Sequence, residues 1–393
     1  MKILIVDDQE LVLLSLEKAL TDQGYEVERA NNIIDAVTKF DDFAPDLLIA
    51  DMNMPSAPED EKGYMNITFD EKAPGLDLIN YLRNIRKDAT PIMILSGNLD
   101  EEIIERGFEL GANDYMKKPL SLNEIAIRVK RLIGGGSNIK RADTKEKFIQ
   151  ETCIGVVIPC YNEEERLLGD DFKRFVNKNL GYHLCFVNDG SKDNTLEVLK
   201  ELRKGNEDHI SIYDCEKNGG KAEAVRLGML HLAEQSQFDY IGFLDADLST
   251  DFADFQDLVK TISNSDYQVV SGSRISRIGA DITKESARKV ISMSINFIIR
   301  KTLGMEFRDT QCGAKIMTRK VVEETFQKKF LTKWLFDVEI FMRMRNIYGL
   351  KEAQAMLCEK PLNRWIHADG SKLSFKDSLK IIGQIGQIAF HYR

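Results

Sequence analysis

Along the first third of the chain, apolar and polar positions follow two alternating patterns. Short apolar runs, KILIV at 2–6, DLLIA at 46–50 and PIMILS at 91–96, read as buried strands, joined by YEVERA at 25–30 and DYMKKP at 114–119. Between them apolar residues recur at helical spacing from about Gln9 to Gln23, over 33 to 42, near 100 to 110 and near 121 to 133. Strand and helix in strict alternation predict a doubly wound parallel sheet. IGGGSNIKRADTKEKFIQ, residues 133–150, then breaks the pattern with glycines and charges, as a hinge would. The alternation resumes at CIGVVIPCYN and runs through HLCFVNDGS, ISIYDCEKN, YIGFLDADLS and YQVVSGSR, and from about Ala280 onward it turns mainly helical.

The sequence therefore predicts two α/β domains, at 1–133 and 151–393, with a linker at 134–150. A chain of 393 residues has room for two cores. Hydrophobic residues at 43% and charged residues at 30% are ordinary for a folded protein, and a net charge of −9 gives no basic footprint for nucleic acid. Four apolar residues before Asp7 are too few for a signal-peptide core, and VISMSINFII is cut short by Arg300 and Lys301, so a cytoplasmic protein is expected. The six cysteines form no CxxC pair and are expected to be buried thiols.

The run LLIADMNMP, 47–55, stops abruptly at a carboxylate, Asp51. An open α/β sheet gathers the carboxyl ends of neighbouring strands, which puts Asp7 and Asp8 beside Asp51. Three converging carboxylates repel one another unless a hard cation such as Mg²⁺ lies among them. Ser96 and Lys118 fall on the same edge. This constellation resembles the receiver domain of response regulators over about residues 1–133, which implies a flavodoxin-like (βα)5 fold. The resemblance implies Asp51 as phospho-acceptor, Mg²⁺ held by Asp7 or Asp8 with the Asn53 carbonyl, Lys118 paired with the phosphoryl oxygens, and Ser96 and Tyr115 as switch residues. It also implies a histidine kinase or phosphotransfer protein as partner, and a homodimer formed through the receiver. SAPEDEKGYMNITFDEKAP, 56–74, is longer than the usual receiver loop; a solvated loop is the simpler account, a lid over the phosphorylation site the sharper one.

In FLDADLS, Asp245 and Asp247 lie two residues apart after a strand, so both can face one side and chelate Mg²⁺ or Mn²⁺ on a diphosphate. VVIPCYNEEERL, FVNDGSKDNT, NGGKAEAVRLGM and DADLS occur in an order that resembles family 2 glycosyltransferases of the GT-A fold. That resemblance implies a nucleotide-sugar donor (UDP or GDP), with Pro159, Tyr161, Glu163 and Asp189 at the base and ribose, Lys221 and Arg226 in the donor-pocket segment, and Asp245 and Asp247 at the metal-diphosphate site. Asn188 stands where an aspartate is commoner. SGSR, RDTQCGAKIM, WLFDVEIFMR and PLNRWIHADGSKL further resemble the dolichyl- and polyprenyl-phosphate branch. Its members transfer to a lipid phosphate, which makes Arg274 and Arg288 candidate anion clamps.

A phosphate acceptor is already ionised near pH 7, its second pKa being about 6, and requires no strong base. A sugar or protein hydroxyl would require one, and Asp337 is the candidate. Soluble acceptors stay open, as does a non-catalytic domain that senses a nucleotide sugar. SFKDSLKIIGQIGQIAFHYR, 374–393, either lies in a membrane interface at the inner face or packs on the catalytic domain. The fusion itself predicts that phosphorylation of Asp51 regulates transfer.

Overall fold

In a computed structural model, the described residues are 1–54, 74–97, 101–134, 148–274, 281–282, 297–365 and 375–392. Most of the 56–74 insertion and Arg288 lie outside them. The chain divides into two compact units, Met1–Cys153 with Val176–Tyr182 and Ile154–Phe175 with His183–Arg393.

The first unit holds five strands, β1 (Lys2–Val6), β2 (Glu26–Ala30), β3 (Leu47–Asp51), β4 (Ile92–Ser96) and β5 (Asp114–Lys117), in the order β2-β1-β3-β4-β5 and all parallel. Helices α1 (Glu10–Thr21), α2 (Ile33–Phe43), α3 (Pro74–Asn80), α4 (Glu101–Glu109) and α5 (Leu122–Ile133) connect them, and a two-residue strand, β6 (Leu120–Ser121), precedes α5. Each expected strand is present. Strands β1, β3 and β4 are buried almost throughout, because helices cover the sheet faces and leave no position for a polar residue until the strand ends. Local chemistry sets the helix limits. Asn32 caps α2 by accepting from the Asp35 amide at 2.8 Å, and Ala44 ends it in the left-handed region at φ 49°. A π-turn over Tyr81–Ile85, which periodicity did not predict, extends α3.

The second sheet is built from β7 (Phe148–Cys160), β8 (Asn179–Asn188), β9 (Ile210–Asp214), β10 (Tyr240–Leu244), β11 (Val269–Ser273), β13 (Ala314–Thr318) and β14 (Leu357–Pro361), in the order β14-β11-β13-β10-β7-β8-β9; β12 (Asp281–Ile282) and β15 (Arg364–Trp365) pair separately. Its helices are α6 (Gly169–Lys178), α7 (Thr195–Arg203), α8 (Lys221–Ala233), α9 (Phe252–Ser263), α10 (Arg319–Thr325), α11 (Phe336–Tyr348), α12 (Leu350–Ala355) and α13 (Phe375–His391). Helix α8 lies close on the sheet at Gly228, where a Cβ would come 2.6 Å from Val157 and 2.7 Å from Val187.

The region after Ala280 is less helical than its pattern suggested. β13 inserts between β10 and β11, antiparallel to both, and β14 closes the far edge beside β11. The run AKIMT hides this strand, because its second residue is a lysine, Lys315, that is nevertheless 0% exposed. At the C-terminus, Ile385 and Ile388 of α13 are buried, so this helix packs by one face.

Candidate functional sites

In the order β2-β1-β3 the sheet is extended first to one side of β1 and then to the other, and the loops after β1 and β3 part there to open a crevice. Asp7 and Asp51 are buried in it, Asp8 is exposed, and carboxylate oxygens of all three lie within 4.8 Å of one another. Lys118, only 2% exposed, donates to Asp7 Oδ2 at 2.8 Å and to Asp51 Oδ2 at 3.1 Å. Burial pushes the Asp7 carboxyl up to about 7; Lys118 pulls against this and the Asp51 charge adds to it. For Lys118, burial acts downward, but Asp7 and Asp51 outweigh it and hold the ammonium above the usual lysine range.

Asp51 Oδ1 and Ser96 Oγ are buried without a hydrogen-bond partner. An orphaned carboxylate oxygen beside two further carboxylates is a hard donor set that fits Mg²⁺. Asn53 is exposed after β3, and Tyr115 on β5 packs against the apolar core under α2 and α3. One contact had no signal in the sequence. Gly75, at the start of α3, comes so close to the loop after β3 that a Cβ there would lie 2.4 Å from the Asp51 carbonyl oxygen and 2.7 Å from Met52 Cα.

In the second unit, β7, β8, β9, β10 and β11 end on one edge, and a cleft of about 410 Å³ opens over it. Pro159, Cys160, Tyr161, Glu163, Arg166, Asp189, Asn218, Gly220, Lys221, Ala224, Asp245, Ala246 and Asp247 line it. Asp247 is exposed, and Lys221 Nζ lies 2.5 Å from Asp245 Oδ1. Glu163 is held above the ordinary carboxylate value by burial, with Asp247 and Asp193 adding to the effect and Arg166, 2.9 Å away, opposing it. Oxygen donors at Asp245 and Asp247, with a cation already on Asp245, suit a divalent ion such as Mg²⁺ or Mn²⁺.

Asp189 serves the cleft through backbone. Its two carboxylate oxygens accept from the Gly219 and Gly220 amides at 2.7 and 2.9 Å, which fixes the turn that starts α8. Behind it Asn188 donates to Asp214 Oδ1 at 2.7 Å, so the departure from the commoner aspartate spares two facing carboxylates. Lys333, exposed, lies over Gly220, where a Cβ would meet its Cδ at 3.3 Å, and Trp334 beside it is 75% exposed.

Three predicted residues are absent from the cleft lining and are held by other partners. Arg226 is buried, with its guanidinium on Glu223 at 2.8 and 2.9 Å and on the Phe326 and Gln327 carbonyls, so it ties α8 to the 326–327 segment and does not line the cleft. Arg274 forms a bidentate pair with Asp309 at 2.8 and 2.7 Å. Although burial opposes it, that pairing holds Arg274 above its usual value. Asp337 is buried behind Asp245 and accepts from Lys315 at 2.6 Å; burial raises its pKa while Lys315 opposes the rise. Side-chain direction and prior commitment, which spacing does not report, account for all three.

A sheet edge that gathers carboxylates, a lysine and glycine amides around one cleft is that of a ligand-binding α/β enzyme. A family model described as glycosyl transferase family 2 matches residues 155–326, and one described as response regulator receiver domain matches 3–130. The dolichyl-phosphate beta-glucosyltransferase of Saccharomyces cerevisiae is 30% identical over 264 residues, covering 62% of this chain and 76% of its own. That of Dictyostelium discoideum is 29% identical over 259 residues, covering 62% and 76%. Among solved structures, Mycobacterium tuberculosis glucosyl-3-phosphoglycerate synthase in complex with uridine-diphosphate is similar at 16% identity and a TM-score of 0.45, over 61% of this chain and 80% of that one. The chain belongs to glycosyl transferase family 2 and carries a response regulator receiver domain.

Proposed function

We propose that the chain is a receiver-controlled, inverting glycosyltransferase that moves a sugar from a UDP- or GDP-sugar to a polyprenyl phosphate. The observation that carries this reading is the cleft at the carboxyl edge of the second sheet, where Asp245, Asp247 and Lys221 meet the Asp189-held glycine turn. The relatives named for dolichyl phosphate support the acceptor class.

Tyr161 and Glu163, with the Gly219–Gly220 turn, hold the nucleoside end of the donor. Asp245 and Asp247 hold Mg²⁺ or Mn²⁺, which when bound offsets the charge of the departing diphosphate. Lys221 then has two anionic partners within reach, Asp245 and the diphosphate, and exchanges the first for the second. The acceptor phosphate attacks the anomeric carbon as an anion, so no side chain needs to remove a proton. This agrees with the state of Asp337, whose Oδ1 is already bonded to Lys315.

Asp51 receives phosphate from a histidine kinase or phosphotransfer protein, with Asp7, Asp8, Asp51 and the Asn53 carbonyl holding Mg²⁺. The acidic pair around Lys118 rearranges when a phosphoryl group arrives, and Ser96 Oγ, unpartnered in its buried position, supplies the new hydrogen bond. Among the described residues no helix is long and apolar enough to cross a membrane. A peripheral position at the inner face is supported by Trp334, exposed next to Lys333, and by Phe390, 84% exposed on α13.

The test is transfer of labelled sugar from UDP- and GDP-sugars to a membrane lipid extract, with and without acetyl phosphate. Lipid-linked product that responds to acetyl phosphate in the wild type and not in Asp51→Asn supports the whole reading. Transfer indifferent to acetyl phosphate removes receiver control. Absence of lipid product from every donor removes the acceptor assignment.

A further inference from the structure

We infer that Lys315 is a positioning residue for the donor site: through Asp337 and the Cys312 carbonyl it clamps the turn at Gly313 against the carboxylate of Asp245. This rests on the reading of Asp245 as a donor-side carboxylate.

Lys315 is 0% exposed, a costly place for an ammonium unless every donor is used. Its Nζ donates to Asp337 Oδ1 and to the Cys312 carbonyl, both at 2.6 Å, and it lies over the Phe243 ring at 5.4 Å. The carbonyl it holds belongs to the residue before Gly313. At Gly313 a Cβ would come 2.0 Å from Asp245 Oδ2 and 2.4 Å from its Cγ, so backbone alone fits against this carboxylate. The turn is confined from behind as well, since a Cβ on Gly272 would lie 2.9 Å from Cys312 Sγ.

The result is a rigid wall on one side of Asp245, with Lys221 at 2.5 Å on its Oδ1. With Oδ2 against the Gly313 backbone and Oδ1 buried under the Lys221 ammonium, the carboxylate is held in one orientation, so that a cation replacing the lysine at Oδ1 needs no turn of the side chain. Preorganisation of this kind depends on a supporting shell whose own geometry is fixed. Asp337 thereby acts through Lys315 and touches neither donor nor acceptor.

The test uses the full chain with both ion-pair partners replaced, Lys315→Met with Asp337→Asn, so that no unpaired charge is left buried. Mn²⁺ affinity is read from the EPR signal of free Mn²⁺ in the presence of UDP, and of GDP in parallel; uridine and guanosine binding are followed by ligand NMR. The expected result is Mn²⁺ binding weakened about tenfold with nucleoside binding and the melting temperature within error of wild type, since tenfold corresponds to about 1.4 kcal/mol. Gly313→Ala, which pushes on Asp245 directly, is expected to weaken Mn²⁺ binding at least as much.

Wild-type Mn²⁺ affinity in the double variant, when Asp245→Asn has lost it, overturns the positioning role and leaves the donor site standing. Equal loss of nucleoside and Mn²⁺ binding also overturns it, because the pair would then support the whole fold. Wild-type affinity in Asp245→Asn itself removes the reading of Asp245 and this role with it.

Discussion

The ammonium of Lys221 stands 2.5 Å from Asp245 Oδ1, in the cleft at the carboxyl edge of the second sheet. The pairing offsets the charge of Asp245. Lys221→Ala is expected to raise the donor KM about tenfold or more, because an ammonium on a phosphate is a charge-assisted contact. Steady-state transfer at varied donor concentration checks this. A KM unchanged within twofold would mean that Lys221 serves Asp245 alone.

Lys118 holds two buried carboxylates, Asp7 and Asp51, with one ammonium. Removing it leaves both without a counter-charge, and breaking a buried ion pair from one side costs about 3–5 kcal/mol. Lys118→Met is expected to lower the melting temperature of the receiver transition, and added Mg²⁺ to restore more of it than it adds to the wild type. Scanning calorimetry with and without Mg²⁺ gives the comparison; equal Mg²⁺ shifts in both proteins would be the contrary result.

At Gly75, any side chain collides with the backbone of Asp51 and Met52. Gly75→Ala should therefore slow acetyl-phosphate labelling of Asp51 about tenfold or more by shifting the loop, an effect of misplaced geometry rather than lost chemistry. Labelling at the wild-type rate would show that the loop can give way.

Burial lowers the pKa of His183 to about 4, and the ring lies 2.8 Å from Ser211 Oγ and 3.2 Å from the Asp208 carbonyl. The folded value is depressed below the unfolded one, near 6.5. As pH falls from about 6.5 to about 4, the unfolded chain takes up a proton that the folded chain refuses, and stability declines; above that window the penalty is absent. Every tenfold loss of proton affinity on folding corresponds to about 1.4 kcal/mol. In His183→Asn the stability of the transferase unit should lose part of its decline between these two pH values in urea titrations. An identical slope would assign the decline to other groups.

Lys333, which lies over Gly220, and Trp334, next to it in the chain, are an exposed basic and aromatic pair. If the acceptor is membrane-borne, Trp334→Ala should weaken binding to phosphatidylglycerol vesicles, read by co-flotation, about tenfold or more, since burying a large apolar side chain is worth about 1.5–3 kcal/mol. Transfer to a short-chain, water-soluble prenyl phosphate should fall far less. Equal loss with both acceptors would place Trp334 in the cleft chemistry instead.

Much of this was legible in the sequence for a simple reason. Strands such as LLIAD and IMILS are apolar until their last residue, and the polar residue that ends each of them lies where an open sheet collects its ligands. Asp7, Asp51, Ser96 and Lys118 could thus be grouped by their places at strand ends alone. Arg226, Arg274 and Asp337 could not, because the sequence places a residue on a segment but does not say whether Glu223, Asp309 or Lys315 has already claimed its side chain. Gly75 and Gly313 left no pattern at all. Their contribution is the absence of a Cβ, which has meaning only beside the atom that would have been struck.

The hydrogen bond from Asn188 to Asp214 carries a consequence for divergence within the family. With an aspartate at 188, two carboxylates would share the space of one hydrogen bond, and each would have to shed charge or find another partner. The two positions should therefore change together: relatives with an aspartate at the position of Asn188 should show a neutral or basic residue opposite it.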